Sequence, residues 1–518
     1  MLDDKRWNYR WLPLGLLLLC AVPLLWPSIP PLLDLPGHMG RYHIALNLSS
    51  SPNLQRYFTY EWALIGNLGV DLLVVPLGAV LGVEVATKII IIAIPLMMGA
   101  GFLWAATQVH GHVPPTALLA LVFTYAYPFH YGFVNYCLGV AIAAVGFALW
   151  IRLHGSAFAI RALTFSALAA LTWVAHAVGW IILCVLCGSY ELWWQWSRRA
   201  GWWSALRNTT LAVLPLLSPL ILMALAPRGA PLEFGGWLDP RSLAKWLLAL
   251  NRDRWLAYDV LCTLTLAGVI GLAIIRRGGL SINPALGWPA LGLFILYVVA
   301  PDAISGSAFV SARIIPYAAA YALLAIRVDE HRRILGRWFA FALIFLIVRV
   351  AATTASFIMY DASHARNLQA LEHVEQGSAI AVLARQNCGS TFANWSNPRL
   401  QHLAGLAIVR RDAFVNDQWD AQALQLLSVN YPAAQPFTNS PSEGVSLERC
   451  GSALPRYLPD ALDLLPRGAF DYVWLLDIPP SARPARPWLE LVHTTPEGAL
   501  YRIAKQGEET EEARAAAS

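Results

Sequence analysis

The chain has 518 residues, of which 57% are hydrophobic and 13% charged, against about 45–50% and about 25% in ordinary soluble proteins. With a mean hydropathy of +0.51, a cytosolic enzyme, a disordered chain and a collagen-like repeat are excluded, and an α-helical polytopic membrane protein remains. The net charge of +5 is uneven: residues 1–360 carry 24 Lys+Arg and 14 Asp+Glu, whereas 361–518 carry 13 and 18, so the positive charge travels with the apolar part and belongs to cytoplasmic loops, with no nucleic acid implied.

Met1 to Arg10 is polar and basic through Lys5, Arg6 and Arg10, and an almost uncharged run follows from Trp11 to Leu33. That run exceeds the apolar core of a signal peptide, and no A-x-A site follows it, so it reads as a first transmembrane helix with a cytoplasmic N-terminus. Further apolar runs lie near 67–83, 88–108, 115–130, 133–152, 162–192, 207–226, 255–275, 284–300, 312–327 and 336–360. Each is near the roughly 20 residues a spanning helix needs, giving about eleven helices. Pro76, Pro95, Pro215, Pro219 and Pro289 interrupt several, as membrane helices tolerate. The segments 115–153 and 162–192 are the least clearly delimited.

The bias of basic residues toward the cytoplasm tests this count. It puts Arg198, Arg199 and Arg207, then Arg276 and Arg277, then Arg327, Arg332, Arg333 and Arg337 on one side, while Arg152 and Arg161 fall on the other, against the rule. Residues 1–360 thus read as the transmembrane domain, with outer loops at about 34–66, 228–254 and 301–312. An odd number of helices leaves everything after Tyr360 outside. Residues 361–505 read as an extracytoplasmic α/β domain, with strand-like runs at Ala379–Ala384 and Tyr472–Leu476 separated by the turn-rich stretches NSPSEG and DIPPSARPARP. The charged tail 506–518 reads as disordered. Cys20, Cys137, Cys184, Cys187 and Cys262 sit in apolar helices as small hydrophobes. Cys388 and Cys450, the two in the outer domain, can form a disulfide if that side is oxidising.

The first outer loop, PPLLDLPGHMGRYHIALNL, is the most informative stretch. Asp34, His38 and Arg41 stand at helix-compatible spacings, and His43 follows. Asp34-Leu-Pro also suits a helix cap followed by an early helical proline. A carboxylate, two imidazoles and a guanidinium together can hold a phosphate and move a proton. Other loops offer Glu233, Asp239, Arg241, Lys245, Arg252, Asp253 and Arg254, with Trp246 and Trp255 as interfacial anchors, and Asp302 with Arg313. Glu61 and Asp71 flank the first loop region. His176 and Arg349 lie inside apolar helices, where pairing for structure competes with function. Glu84 and Lys88 read as a local pair at a short cytoplasmic turn. No P-loop, HExxH, GxSxG or GxGxxG is present, which argues against an ATP-driven pump and a conventional hydrolase.

An N-terminal helix, an outer loop opening on an acid, many further helices and an outer C-terminal domain together resemble the GT-C glycosyltransferases. DLPGHMGRYH is similar to a D-x-P-x-H-x-x-R pattern of bacterial GT-C-like membrane proteins, and HLAGLAIVRRDAFV, FDYVWLLDIPP and GALYRIAK resemble their end domains. The resemblance implies a multi-pass protein of the plasma (inner) membrane that transfers a hexosyl or pentosyl group, with inversion, from a polyprenyl-phosphate sugar to a glycan, lipid or protein acceptor. Asp34 would be the catalytic base. His38, Arg41, His43, Arg241, Lys245 and Arg313 would bind donor phosphate or substrate, with Glu61 and Asp71 as additional candidates. Many members carry a second acid beside the first, but here Leu35 follows Asp34. One carboxylate is a poor cage for Mg²⁺ or Mn²⁺, and His38 with His43 lacks the further ligands of a zinc site, so no cofactor is required and a divalent metal stays an option. The competing reading is a transporter or flippase of a lipid-linked substrate, which would concentrate polar groups and broken helices near the membrane midplane. The crowding of ionisable groups in the outer loops favours the enzyme.

Overall fold

The computed structural model describes residues 11–198, 201–227, 238–304, 307–329, 331–389, 394–421 and 425–504. Arg199, Glu233 and the expected disordered tail 506–518 lie outside the described residues. The chain forms two compact units. One comprises the stretch up to Trp26, Ala63–Leu73 and Ile89–Phe357. The other comprises Pro27–Trp62, Val74–Lys88 and everything from Ile358 onward.

The first unit is helical. Among the described residues, six helices are long and apolar enough to cross a membrane, and the pair Trp202–Leu217 and Pro219–Leu225, bent by 46°, makes a seventh. Shorter apolar helices include Trp11–Leu25, Pro284–Val299 and Val310–Leu324.

Three expected spans are corrected. The run 162–192 is two helices, Phe158–Ala175 and Ala177–Ser197, broken where His176 adopts an extended backbone and its Nδ1 accepts from the Val178 amide at 3.1 Å. The run 67–83 is a helix of only 13 residues, Gly69–Leu81, which rises about 20 Å against a hydrocarbon core of about 30 Å. The run 115–130 is apolar but not one helix. It is Pro115–Ala120, a 3₁₀ turn at Leu121–Tyr125, then Tyr127–Tyr131.

Hydrogen bonds within this unit sort its loops to two ends. At one end His110 Nε2 bonds the Leu324 carbonyl at 2.8 Å, Thr116 Oγ1 donates to the Ile326 carbonyl at 3.2 Å, and Leu280–Ile282 pairs antiparallel with Ile326–Val328. At the other end the Ala177 amide donates to Gly66 and the Leu68 amide to Val174, while Asn135 receives the Val70 amide at 2.6 Å. Following the helices between these ends places Arg152 and Arg161 with Arg276, Arg277 and Arg327. The exception to the charge rule therefore disappears. One span is lost at 67–83 and one gained at 162–192, so the parity of the chain is unchanged.

The second unit is an α/β layer joined to the first outer loop. Its main sheet runs in the order 456–457, 444–446, 379–385, 472–476, 498–503, 489–494, with Phe414–Val415 also pairing against Ala379–Arg385. The central strands AIAVLAR and YVWLL are parallel to each other and almost wholly buried, as continuous apolar runs in parallel sheets are. Phe58–Tyr60 of the first loop pairs antiparallel with Leu427–Val429, and Tyr57 donates from its hydroxyl to the Gly377 carbonyl at 2.8 Å. Cys388 and Cys450 form a disulfide across 62 residues of sequence. The Glu84 carboxylate accepts from Arg410 Nε and Nη2 at 2.8 and 3.1 Å.

Candidate active site

The residues of the first loop fold into the helix Leu35–Asn47, with Pro36 in its first turn, where a missing amide costs nothing. Asp34 stands at the N-cap position, but its backbone is helical (φ −83°, ψ −11°) and its side chain makes no capping hydrogen bond. The capping role is therefore not what Asp34 does. The residue is 8% exposed, and its Oδ1 lies 4.0 Å from Nε2 of His402, too long for a hydrogen bond.

His402 comes from the C-terminal part of the same unit. Burial holds its imidazole neutral by lowering its pKa to about 4. Its ring centroid lies 4.4 Å from that of Trp419, and the His38 ring lies 5.2 Å from the same indole. The approach is close because of glycine. A Cβ on Gly37 would meet Trp419 carbons at 2.6 and 2.8 Å, and one on Gly405 would strike the Pro36 carbonyl. Helix Leu35–Asn47 thus packs backbone to backbone on helix Gly405–Arg411, and the indole fills the space left over.

Arg41, 2% exposed, lies on the same helix with its guanidinium 5.2 Å from the Tyr42 ring centroid. His43 is drawn elsewhere. Its Nε2 meets Asp412 Oδ1 at 2.7 Å, and Ser51 donates to the other oxygen of the same acid at 2.8 Å. Glu61 is exposed, with its amide bonded to the Leu426 carbonyl at 2.9 Å. Five candidates (Asp34, His38, Arg41, His43 and Glu61) thus share the second unit; His38 lies against Trp419 and Asp34 lies beside His402, which packs on the same indole.

The other candidates belong to the helical unit. Asp71 is 2% exposed and accepts from Asn135 Nδ2 at 2.9 Å. Arg241 and Lys245 are exposed on Pro240–Leu248, a helix that Asp239 caps through the Ser242 amide at 2.9 Å. Trp246, expected as an interfacial anchor, is instead buried against Tyr127 and Phe309. The Arg313 guanidinium carbon lies 3.7 Å from the Phe133 ring centroid. Arg349 has a structural partner. It donates to Asp259 Oδ1 and to the Asn251 carbonyl, each at 2.6 Å, and Asp259 in turn accepts the Asp253 and Arg254 amides.

Sequence reasoning missed His402 and Trp419. His402 opens the stretch HLAGLAIVRRDAFV, where its resemblance to an end domain assigned it no role, and Trp419 sits in the polar run NDQWD that follows, which also reads as a surface turn. Among the described residues no group of three or more His, Cys, Asp or Glu side chains is arranged to hold a metal ion.

No family model matches the chain, and no curated protein sequence matches it. Solved structures similar to it include ArnT from Cupriavidus metallidurans bound to undecaprenyl phosphate, with a TM-score of 0.49 and 11% identity over 97% of this chain and 99% of that one. ArnT from the same organism in the apo state gives a TM-score of 0.49 and 11% identity over 95% and 97%.

Proposed function

We propose that this protein is a membrane glycosyltransferase that moves a sugar from a polyprenyl-phosphate donor to an acceptor hydroxyl at the outer membrane face, with Asp34 as general base. The observation that carries the reading is a carboxylate almost fully buried at a helix start yet not used to cap it, with a neutral imidazole, a tryptophan and a buried arginine in the same unit. A base of this kind takes the acceptor proton as the hydroxyl attacks the anomeric carbon. The bond to the donor phosphate breaks in the same step, and the leaving phosphate gains charge. Arg41 and His38 are assigned to that charge. His402, kept neutral, stands beside Asp34 without neutralising it, and Trp419 supplies a flat apolar face for a sugar ring.

The orientation belongs to the same proposal. Arg152, Arg161, Arg276, Arg277 and Arg327 at one end of the helical unit mark that end as cytoplasmic, and the disulfide suits an oxidising compartment for the C-terminal domain. Sugar transfer is measured with the purified protein in liposomes, supplied with a panel of radiolabelled polyprenyl-phosphate sugars and extracted native lipids and glycans. Asp34→Asn is expected to lower transfer by at least 10²-fold, the scale of a lost general base, with unchanged expression and membrane insertion. Retained transfer by that variant would remove Asp34 from the role.

A further inference from the structure

The second unit fastens the approach to Asp34 at points outside the candidate site. Residues 27–33 lead to Asp34 without helix or strand, and Pro27, Pro30 and Pro31 have no amide to donate. No helical or strand ladder therefore sets where this segment lies. Side chains do so instead. From Ile358 onward the helix Arg332–Leu368 belongs to the same unit. There Asp361 Oδ1 accepts from the Ser28 amide at 3.0 Å and from the Ser28 hydroxyl at 3.2 Å. Arg399 holds the end nearer Asp34. It is 1% exposed, and its Nη1 donates to the Pro31 carbonyl. Two residues of the same helix fix Arg399 in turn. The Tyr360 ring centroid lies 4.3 Å from its guanidinium carbon, and His364 Nε2 donates to its backbone carbonyl at 2.9 Å.

The spacing agrees on the two sides. Pro31 stands three residues before Asp34, and Arg399 three residues before His402. The bond from Arg399 to Pro31 and the 4.0 Å approach of His402 Nε2 to Asp34 Oδ1 are thus two successive contacts between the same two segments. We propose that Arg399 is a positioning residue for Asp34: it pins the Pro31 carbonyl to the C-terminal end of the long helix and so fixes the carboxylate opposite His402. It acts through the backbone and not through substrate. Arginine suits the task because its planar fork donates and stacks at once. An ammonium there would keep the charge and lose the stacking on Tyr360. The kinetic consequence rests on Asp34 being the base of the proposed transfer, whereas the clamp itself does not. A base displaced by about 1 Å no longer meets the acceptor proton, and a shift of that size costs about 10²-fold in rate.

The test compares purified full-length Arg399→Ala with wild type in liposomes, in the transfer assay described above. The kcat is expected to fall about 10²-fold, with KM for donor and acceptor unchanged, because what is lost is an arrangement used only in the transition state. In an Asp34→Asn background the same change should cost nothing further, since it acts through that carboxylate. A wild-type kcat, a loss carried by KM, or a loss that multiplies with that of Asp34→Asn overturns the positioning role. Backbone hydrogen exchange gives a readout that needs no activity. Arg399→Ala should speed exchange at residues 32–38 and leave the strands 379–385 and 472–476 protected. Unchanged exchange at 32–38 overturns the clamp. If Arg399→Ala does not fold, Arg399→Lys carries the same measurements, with changes in the same direction. No transfer by the wild type defeats the glycosyltransferase reading and the kinetic role with it, and exchange then decides the clamp by itself.

Discussion

Gly37 sets the distance on which the candidate site depends. The indole of Trp419 occupies the place where a side chain at 37 would stand, and an indole cannot yield as a flexible chain can. Gly37→Ala should therefore destabilise the protein by about 1–3 kcal/mol, as overpacking does, and should cut transfer further by displacing Trp419 from His402. Gly451, whose added Cβ would meet nothing within 4 Å, serves as the control, and Gly451→Ala should melt as wild type does. Thermal melts of the two variants decide the point.

Glu443 and His402 give opposite pH signatures. Glu443 binds its proton more tightly folded, at about 7, than at its ordinary 4.5. Its protonated form therefore supports the fold at low pH, and that contribution fades as pH rises from about 4.5 to about 7. His402 titrates at about 4 folded against an ordinary 6.5, so its neutral form supports the fold at high pH, and that contribution fades as pH falls from about 6.5 to about 4. The two largely mask each other in the wild type. A difference experiment separates them. The Tm of Glu443→Gln minus that of wild type should grow between pH 4.5 and 7 and then level off. A difference that is flat or shrinks with pH contradicts the burial of that acid.

At the scale of elements, the C-terminal sheet was readable because its central strands are continuous apolar runs that only a doubly covered parallel sheet accommodates. Its polar half depends on connections. The disulfide closes a long loop between Cys388 and Cys450, and chain-entropy reasoning assigns such a loop about 4 kcal/mol. Cys388→Ser with Cys450→Ser should lower the melting temperature of this unit by no more than that corresponds to, and should leave the far-UV spectrum intact, since the strands 379–385 and 472–476 carry the core. Melts followed by circular dichroism, with and without reductant on the wild type, measure it. Two of the corrected spans, 162–192 and 67–83, have a common cause. Length alone cannot separate one long helix from two joined at an extended residue such as His176, nor a spanning helix from a 13-residue one that ends at Gly82, whose φ is +77°.

At the scale of the whole molecule, the reassigned spans make a sharp statement about sidedness. Residues 74–88 group with the C-terminal part, and Ala157 lies between Arg152 and Arg161. Gly82 and Ala157 are both exposed. Gly82→Cys should react with a membrane-impermeant maleimide added to intact cells. Ala157→Cys should react only after the membrane is opened. Had the sequence-based order of spans held, the pattern would be reversed.

Composition and periodicity alone determined that this chain is a helical membrane protein with a separate α/β part, because burying or immersing some twenty apolar residues at a time leaves a sequence little choice. The acid of the first loop was legible for the same kind of reason: Asp34 is the one carboxylate in an otherwise apolar and glycine-rich stretch. Tertiary structure decided its company. His402 and Trp419 lie more than 360 positions away in sequence, and the glycine contacts between two helices bring them to Asp34. It also decided which acids are unusual. Asp417 and Glu443 sit in runs that read as solvated turns, and their chemistry comes from burial, a property of the surrounding fold that no local pattern of residues encodes.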